Sequence, residues 1–184
     1  MTKVSMDELV DILDENGKYT GESALKSEAH KKGLFHPTVH IWCNSPNGKV
    51  LLQQRGANKK THPLKWDVSV AGHIGAGETP EMGAFREVQE EIGVTINPEK
   101  LKPLTILKIE KKYSDSFWDR EFTNTFLYQM QDDIPLTKQK AEVEALQWIT
   151  LQEFEKKVLE NDQMFVDNSE DRFKEVIAAI KSRL

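Results

Sequence analysis

GHIGAGETPEMGAFREVQEEIGV, residues 72–94, sets a glycine-rich turn directly ahead of a run of carboxylates. Thr79 reads as a helix N-cap, Pro80 suits the first turn and Gly93 supplies a stop, so a helix is expected from about Pro80 to Ile92. At about 100° per residue, Phe85, Val88 and Ile92 form one apolar stripe, and Glu87, Glu90 and Glu91 are expected on the opposite side. Like charges three and four residues apart oppose the helix by about 0.2–0.5 kcal/mol a pair. A divalent cation reverses that sign. Carboxylate oxygens without thiolates suit Mg²⁺ or Mn²⁺, and Mg²⁺ commonly completes its shell with waters and substrate phosphates. Gly72, Gly75 and Gly77 let the preceding loop approach metal or substrate closely. Arg86, at i,i+4 from Glu90, is placed to hold that carboxylate or to touch a phosphate.

Outward from this stretch the pattern is mixed. VDILDENGKYTG reads as a short strand pair turning at Glu15-Asn16-Gly17, followed by a brief helical or irregular connection stopped by Gly33. TVHIWCNS and KVLLQQR flank PNG and form a hairpin. Residues 57–63 make a polar, basic loop. LKPLTILKIEKKY and REFTNTFLYQM support strands through β-branched and aromatic residues, with SDSFWD between them expected as a solvent-facing loop. EALQWI adds a strand, LQEFEKKVLEN a helix capped by Thr150, and the C-terminal stretch a helix with Phe173, Val176, Ile177 and Ile180 at helical spacing. Helices around a mixed sheet bury both kinds of apolar face, which argues for an α/β sandwich.

At 184 residues the expectation is one domain: residues 1–35 as an N-terminal extension, 36–160 as the core and 161–184 as a C-terminal helix. A formal charge of −5 gives no basic field for a nucleic-acid polymer. The single cysteine, Cys43, sits in a strand-like setting and reads as a buried, inert thiol that excludes a multi-thiolate zinc site. There is no apolar signal core and no run long enough to span a membrane, so a cytoplasmic protein is expected.

The offsets in residues 72–94 resemble the signature of the Nudix hydrolases. Gly72, Glu78, Arg86, Glu87, Val88, Glu90, Glu91, Gly93 and Val94 meet its fixed positions. The resemblance implies an α/β/α sandwich with a mixed central sheet, across about residues 36–160. It also implies divalent-metal-dependent hydrolysis of a diphosphate linkage in a small nucleoside or other organic diphosphate. Glu87, Glu90 and Glu91 would then bind metal, Glu78 would assist, Arg86 would orient the glutamates and the carbonyl near Gly72 would complete the coordination. The general base belongs either to the signature or to a later loop carrying Glu142 and Glu144. A homodimer built through the N-terminal segment follows from the family's habits.

HPTVHIW, LLQQR, NKKTHPLKWDVSVAGHI and DENG also resemble the Nudix proteins related to isopentenyl-diphosphate isomerase. Those isomerases carry a proton-transferring cysteine just before a Gly-His pair. This chain has Ala71 there, and Cys43 does not match the position. Their metal site uses histidines, which His36 and His73 match, and His30 matches with a one-residue spacing adjustment. Hydrolysis is therefore expected over isomerisation, with a non-catalytic nucleotide-binding protein as the third reading. Arg55, Lys59, Lys60 and Lys65 are expected to supply substrate charge. Trp118, with Phe117, is expected to stack on a base or cover an apolar group.

Overall fold

Strands Leu9–Leu13 (β1) and Tyr19–Leu25 (β2) pair antiparallel, with Gly17 at φ 78° in their turn. The computed structural model describes residues 7–166 and 172–183. Asp14 closes the turn by accepting the Asn16 and Lys18 amides at 2.8 and 2.9 Å. The helix Lys26–Lys32 (α1) stops at Gly33, whose φ of 62° and amide bonds to the Ala29 and His30 carbonyls form a left-handed cap.

The expected hairpin of His36–Asn44 (β3) and Lys49–Arg55 (β4) is present, with one difference. Among the described residues its ladder is confined to Asn44 opposite Val50. Beyond that point the strands part. The strand β3 is buried along almost its whole length, so both of its edges need partners, and a hairpin mate supplies only one. Its neighbours become Phe117–Gln129 (β8), parallel, and Val70–His73 (β6), antiparallel. The strand β4 takes Val143–Thr150 (β9) and Trp66–Asp67 (β5). Lys102–Ser114 (β7) pairs antiparallel with β8 as the outer strand.

The sheet separates two apolar layers by the alternation of strand side chains. Val39, Ile41, Leu51, Val70 and Phe126 face the helix Pro80–Ile92 (α2) and meet Ala84, Val88 and Ile92. Trp42, Val50, Leu52 and Leu127 face the other way, against the helices Leu151–Leu159 (α3) and Arg172–Lys181 (α4). There the rings of Phe154 and Phe173 lie 5.6 and 5.5 Å from Trp42, all three buried. At about 1.5–3 kcal/mol for each large apolar side chain buried, these layers hold both helical faces to the sheet. The expected caps are in place: Thr79 accepts the Met82 amide, and Thr150 and Glu153 form a capping box. The stretch expected to lead into the last helix begins at residues 168–171, which lie outside the described residues.

The SDSFWD segment corrects the sequence reading. Only Asp115 and Ser116 turn, and Phe117, Trp118 and Asp119 already belong to β8. Alternation explains the difference. Asp119 and Glu121 share one face of the strand, and Trp118, Arg120 and Phe122 share the other, which is a strand pattern that polarity alone conceals.

Candidate active site

Strand β6 and helix α2 build the signature site together. Arg86 Nε donates to Glu78 Oε1 at 2.9 Å, and its Nη2 to Glu78 Oε2 at 2.9 Å and the His73 carbonyl at 2.8 Å. Its Nη1 donates to Glu87 Oε1 at 2.8 Å and lies 3.6 Å from Glu90 Oε2. Glu78 also accepts the Gly75 amide at 2.8 Å, so one carboxylate ties the loop to the arginine. The guanidinium and that amide hold Glu78 below the usual carboxylate range despite burial.

The helix faces differ from expectation. Glu87 and Glu91 are buried, 7 % and 2 % exposed, and point to the sheet. Glu90 alone keeps to the outer face, with half its side chain exposed. On a helical wheel Glu87 and Glu91 both lie on the side of Ala84 away from Val88 and Ile92, at the edge of the apolar stripe, and the space for them comes from the neighbouring strand. A Cβ at Gly72 would lie 2.0 Å from Glu87 Cδ, so only glycine admits that carboxyl. Gln53 Nε2 donates to Glu91 Oε2 at 2.8 Å, and the Ala71 amide reaches the same oxygen at 3.3 Å.

Burial and the nearby Glu91 charge push the Glu87 carboxyl up to about 8, against the pull of Arg86. Burial pushes Glu91 up to about 7, against the hydrogen bond from Gln53. Two buried acids on one helix face, each raised by burial, form a place where a bound cation would favour the ionised carboxylates. Glu142 stands in the field of Glu91 and pairs with Lys59 Nζ at 2.5 Å. Glu144, the other later-loop candidate, is exposed.

On the far side of β6 lies a second cluster. One nitrogen each from His30, His36 and His73 and one oxygen of Glu121 all lie within 4.8 Å of one another. His36 Nδ1 bonds the Leu34 carbonyl at 2.9 Å, leaving Nε2 buried without a hydrogen-bond partner, 3.7 Å from Glu121 Oε1. His30 Nδ1 faces the Trp118 carbonyl at 3.1 Å and Asp119 Oδ1 at 3.3 Å, which turns its Nε2 toward His73 Nε2 at 3.2 Å. Oxygen acceptors on the outer nitrogens orient imidazole lone pairs inward, the usual support of a metal ligand. Burial depresses the His73 imidazole well below its usual value. Burial opposes ionisation of Glu121 too, yet the neighbouring imidazoles, with His36 Nε2 at 3.7 Å and His73 Nε2 at 3.8 Å, hold it well below the usual carboxylate range. The sequence brought His36 and His73 to this point and His30 with a spacing adjustment. Glu121 was missed, and its alternation with Asp119 on β8 was the available signal.

The expected substrate residues divide. Arg55 Nη1 lies 3.4 Å from Asp67 Oδ2, and its Nε and Nη2 donate to Thr61. Lys59 is engaged by Glu142, and Lys60 Nζ sits 5.4 Å from the Phe117 ring centre. Lys65 Nζ turns away to the Gln163 carbonyl. The Trp118 ring packs against Gly33, where an added Cβ would meet it at 3.2 Å, and Lys112 Nζ lies 4.7 Å from its centre. Phe117 stacks on His30 at 4.6 Å. Phe117 thus packs against the histidine cluster and Trp118 against the end of α1, where the sequence leads one to expect both in a solvent-facing loop.

Comparison with known proteins agrees with this geometry. The NUDIX domain model matches residues 34–168. Nudix hydrolase 3 of Arabidopsis thaliana is 33% identical over 165 residues, 87% of this chain but 21% of that protein, so the chain spans about a fifth of that relative. A Nudix hydrolase of Clostridium acetobutylicum is 36% identical over 169 residues, covering 90% of this chain and 77% of the relative. An isopentenyl-diphosphate Delta-isomerase of Corynebacterium diphtheriae is 33% identical over 147 residues, 77% of this chain and 78% of the relative. A Deinococcus radiodurans crystal structure shares the fold at TM-score 0.69 and 17% identity, over 91% of this chain and 98% of that one. With the signature residues assembled around Arg86 and the family model spanning most of the sequence, the chain belongs to the Nudix family.

Proposed function

We propose that this protein is a divalent-metal-dependent pyrophosphohydrolase that cleaves the diphosphate linkage of a small nucleoside or other organic diphosphate. The observation that carries the reading is the set of signature carboxylates on one helix: Glu87 gripped by Arg86 with Glu90 beside it, and Glu91 buried against Gln53. Glu87, Glu90 and Glu91 would hold Mg²⁺ or Mn²⁺, with the backbone near Gly72 beside them. When bound, the cation supplies neutralisation of phosphate oxygens and acidification of the attacking water. The chain's own residues do the rest. Arg86 and Glu78 fix the loop and the helix relative to each other, Gln53 holds one oxygen of Glu91, and Glu142 offers a further carboxylate beside Lys59. Arg55 and Lys60 add positive charge for the substrate. A screen of diphosphate metabolites with Mg²⁺ or Mn²⁺, with each organic product identified, tests this. Turnover lost in Glu91→Gln with the fold intact is expected; full turnover in that variant would remove the assigned role.

The histidine cluster favours a second reading, isomerisation of an isopentenyl-type diphosphate, and residues His30, His36, His73 and Glu121 fit a metal ion by the unpartnered Nε2 of His36. Ala71 argues against it. It places a methyl group where such an isomerase carries its thiol, and Cys43 is buried on β3 with its thiol pushed by burial to about 12. A shifted double bond in the product, without phosphate release, would establish this second reading.

A further inference from the structure

The N-terminal hairpin is wired into the signature loop. Val10 forms an antiparallel bridge with Gly75, and the Ala76 amide donates to the Leu9 carbonyl at 2.8 Å. The Gly77 amide donates to Asp11 Oδ2 at 2.8 Å, while Asp11 Oδ1 accepts from Ser23 on β2, which fixes its rotamer. Just ahead of the hairpin, Glu8 reaches the arginine at the centre of the site. Its Oε1 lies 3.6 Å from Arg86 Nη1 and its Oε2 lies 3.1 Å from Lys26 Nζ. That same Nη1 serves Glu87 at 2.8 Å and Glu90 at 3.6 Å. One guanidinium nitrogen is therefore shared by two signature carboxylates and one from outside the signature.

We propose that Glu8 is a positioning residue of the signature site, holding Arg86 so that Glu87 and Glu90 stay available to a divalent cation, while Asp11 anchors the loop of Gly75 and Gly77. This rests on the metal-binding role given above to the signature glutamates. Without the Glu8 charge, Nη1 is drawn more strongly onto Glu90 and Glu87, and the local field loses a negative charge. Both effects weaken cation binding. A structural role alone would not: Glu8 is partly exposed, and such an ion pair contributes only about 0–1 kcal/mol to stability.

The test measures Mn²⁺ binding to the full chain without substrate, by electron paramagnetic resonance and calorimetry. The parent is the His73→Ala, Glu121→Gln chain, in which the histidine cluster loses one imidazole and its carboxylate while the residue 73 carbonyl stays for Arg86. Glu8→Gln is expected to weaken Mn²⁺ affinity about tenfold, at the low end of the effect of groups that orient metal ligands, with the metal-free melting temperature almost unchanged. Glu8→Asp should recover part of the affinity, and Asp11→Asn should lower it as well. Unchanged affinity in Glu8→Gln would overturn the inference and leave the proposed function standing. A parent that binds no Mn²⁺ would overturn both.

Discussion

In the metal-free protein, raising the pH forces charge onto a carboxyl that the fold keeps neutral. Glu87 has an ordinary value of 4.5 and sits at about 8 in the folded chain. A folded value above the unfolded one gives stability that is full below pH 4.5 and is lost as pH rises through about 8. At about 1.4 kcal/mol per pH unit of separation, complete ionisation removes about 5 kcal/mol, of which the larger part is gone by about pH 7. For a chain of this size 1 kcal/mol corresponds to about 2–4 °C, so the Glu87 contribution alone should lower the melting temperature by about 10 °C between about pH 5 and pH 9. Glu87→Gln keeps an oxygen for Arg86 and carries no charge. It should make the curve shallower, leaving the loss that Glu91 contributes in both chains, and be the more stable of the two chains at about pH 9. Buried imidazoles such as His40, depressed to about 4 by burial, act in the opposite direction, but in both chains alike. Saturating Mg²⁺ should restore the wild-type melting temperature at high pH and leave Glu87→Gln little changed. The assay is thermal denaturation by circular dichroism in chelator and in Mg²⁺. Parallel curves for the two chains in chelator would refute the account of Glu87.

Three further outcomes follow from particular contacts. Gly72→Ala puts a carbon 2.0 Å from the Glu87 carboxyl, so it should displace that side chain, destabilise the fold by about 1–3 kcal/mol and abolish Mg²⁺-dependent stabilisation in thermal melts. Glu121→Gln removes the only carboxylate of the histidine cluster among the described residues, and Mn²⁺ titration should then show one class of site fewer than in the wild type. Asp67 is 6 % exposed and carries Arg172 Nη2 at 2.9 Å and Arg55 Nη1 at 3.4 Å; Asp67→Asn should cost about 3–5 kcal/mol in urea denaturation by leaving two guanidinium groups short of their charge partner.

Local rules carried the sequence reading as far as local physics reaches. Thr79, Pro80 and Gly93 bounded α2 because caps are decided within one turn. The signature spacing located the glutamates for the same reason. The burial of Glu87 and Glu91 was invisible, because it depends on a glycine on another element leaving room for a carboxyl. The parting of β3 from β4 also escaped. Turn chemistry fixes where two strands meet, while their later partners are set by which buried edges lack hydrogen bonds. The histidine cluster was half legible: His36 and His73 lie on strands paired through Thr38 opposite His73, but Glu121 enters from a strand far away in sequence.

Strand β6 borders both the signature glutamates and the histidine cluster. The Ala71 amide touches Glu91, Gly72 makes room for Glu87 and the His73 carbonyl accepts from Arg86, all on the side of the signature helix. The His73 ring belongs instead to the cluster with His30, His36 and Glu121. Backbone thus serves the glutamate site and a side chain serves the histidine site, so the two are separable by mutation at His73. His73→Ala keeps the carbonyl for Arg86 and removes one imidazole. If hydrolysis proceeds at the glutamates alone, that variant retains turnover and its Mg²⁺ dependence while losing binding at the histidine cluster. If the histidine cluster takes part in turnover, both are lost together, and the choice between hydrolysis and isomerisation then turns on the product rather than on the metal.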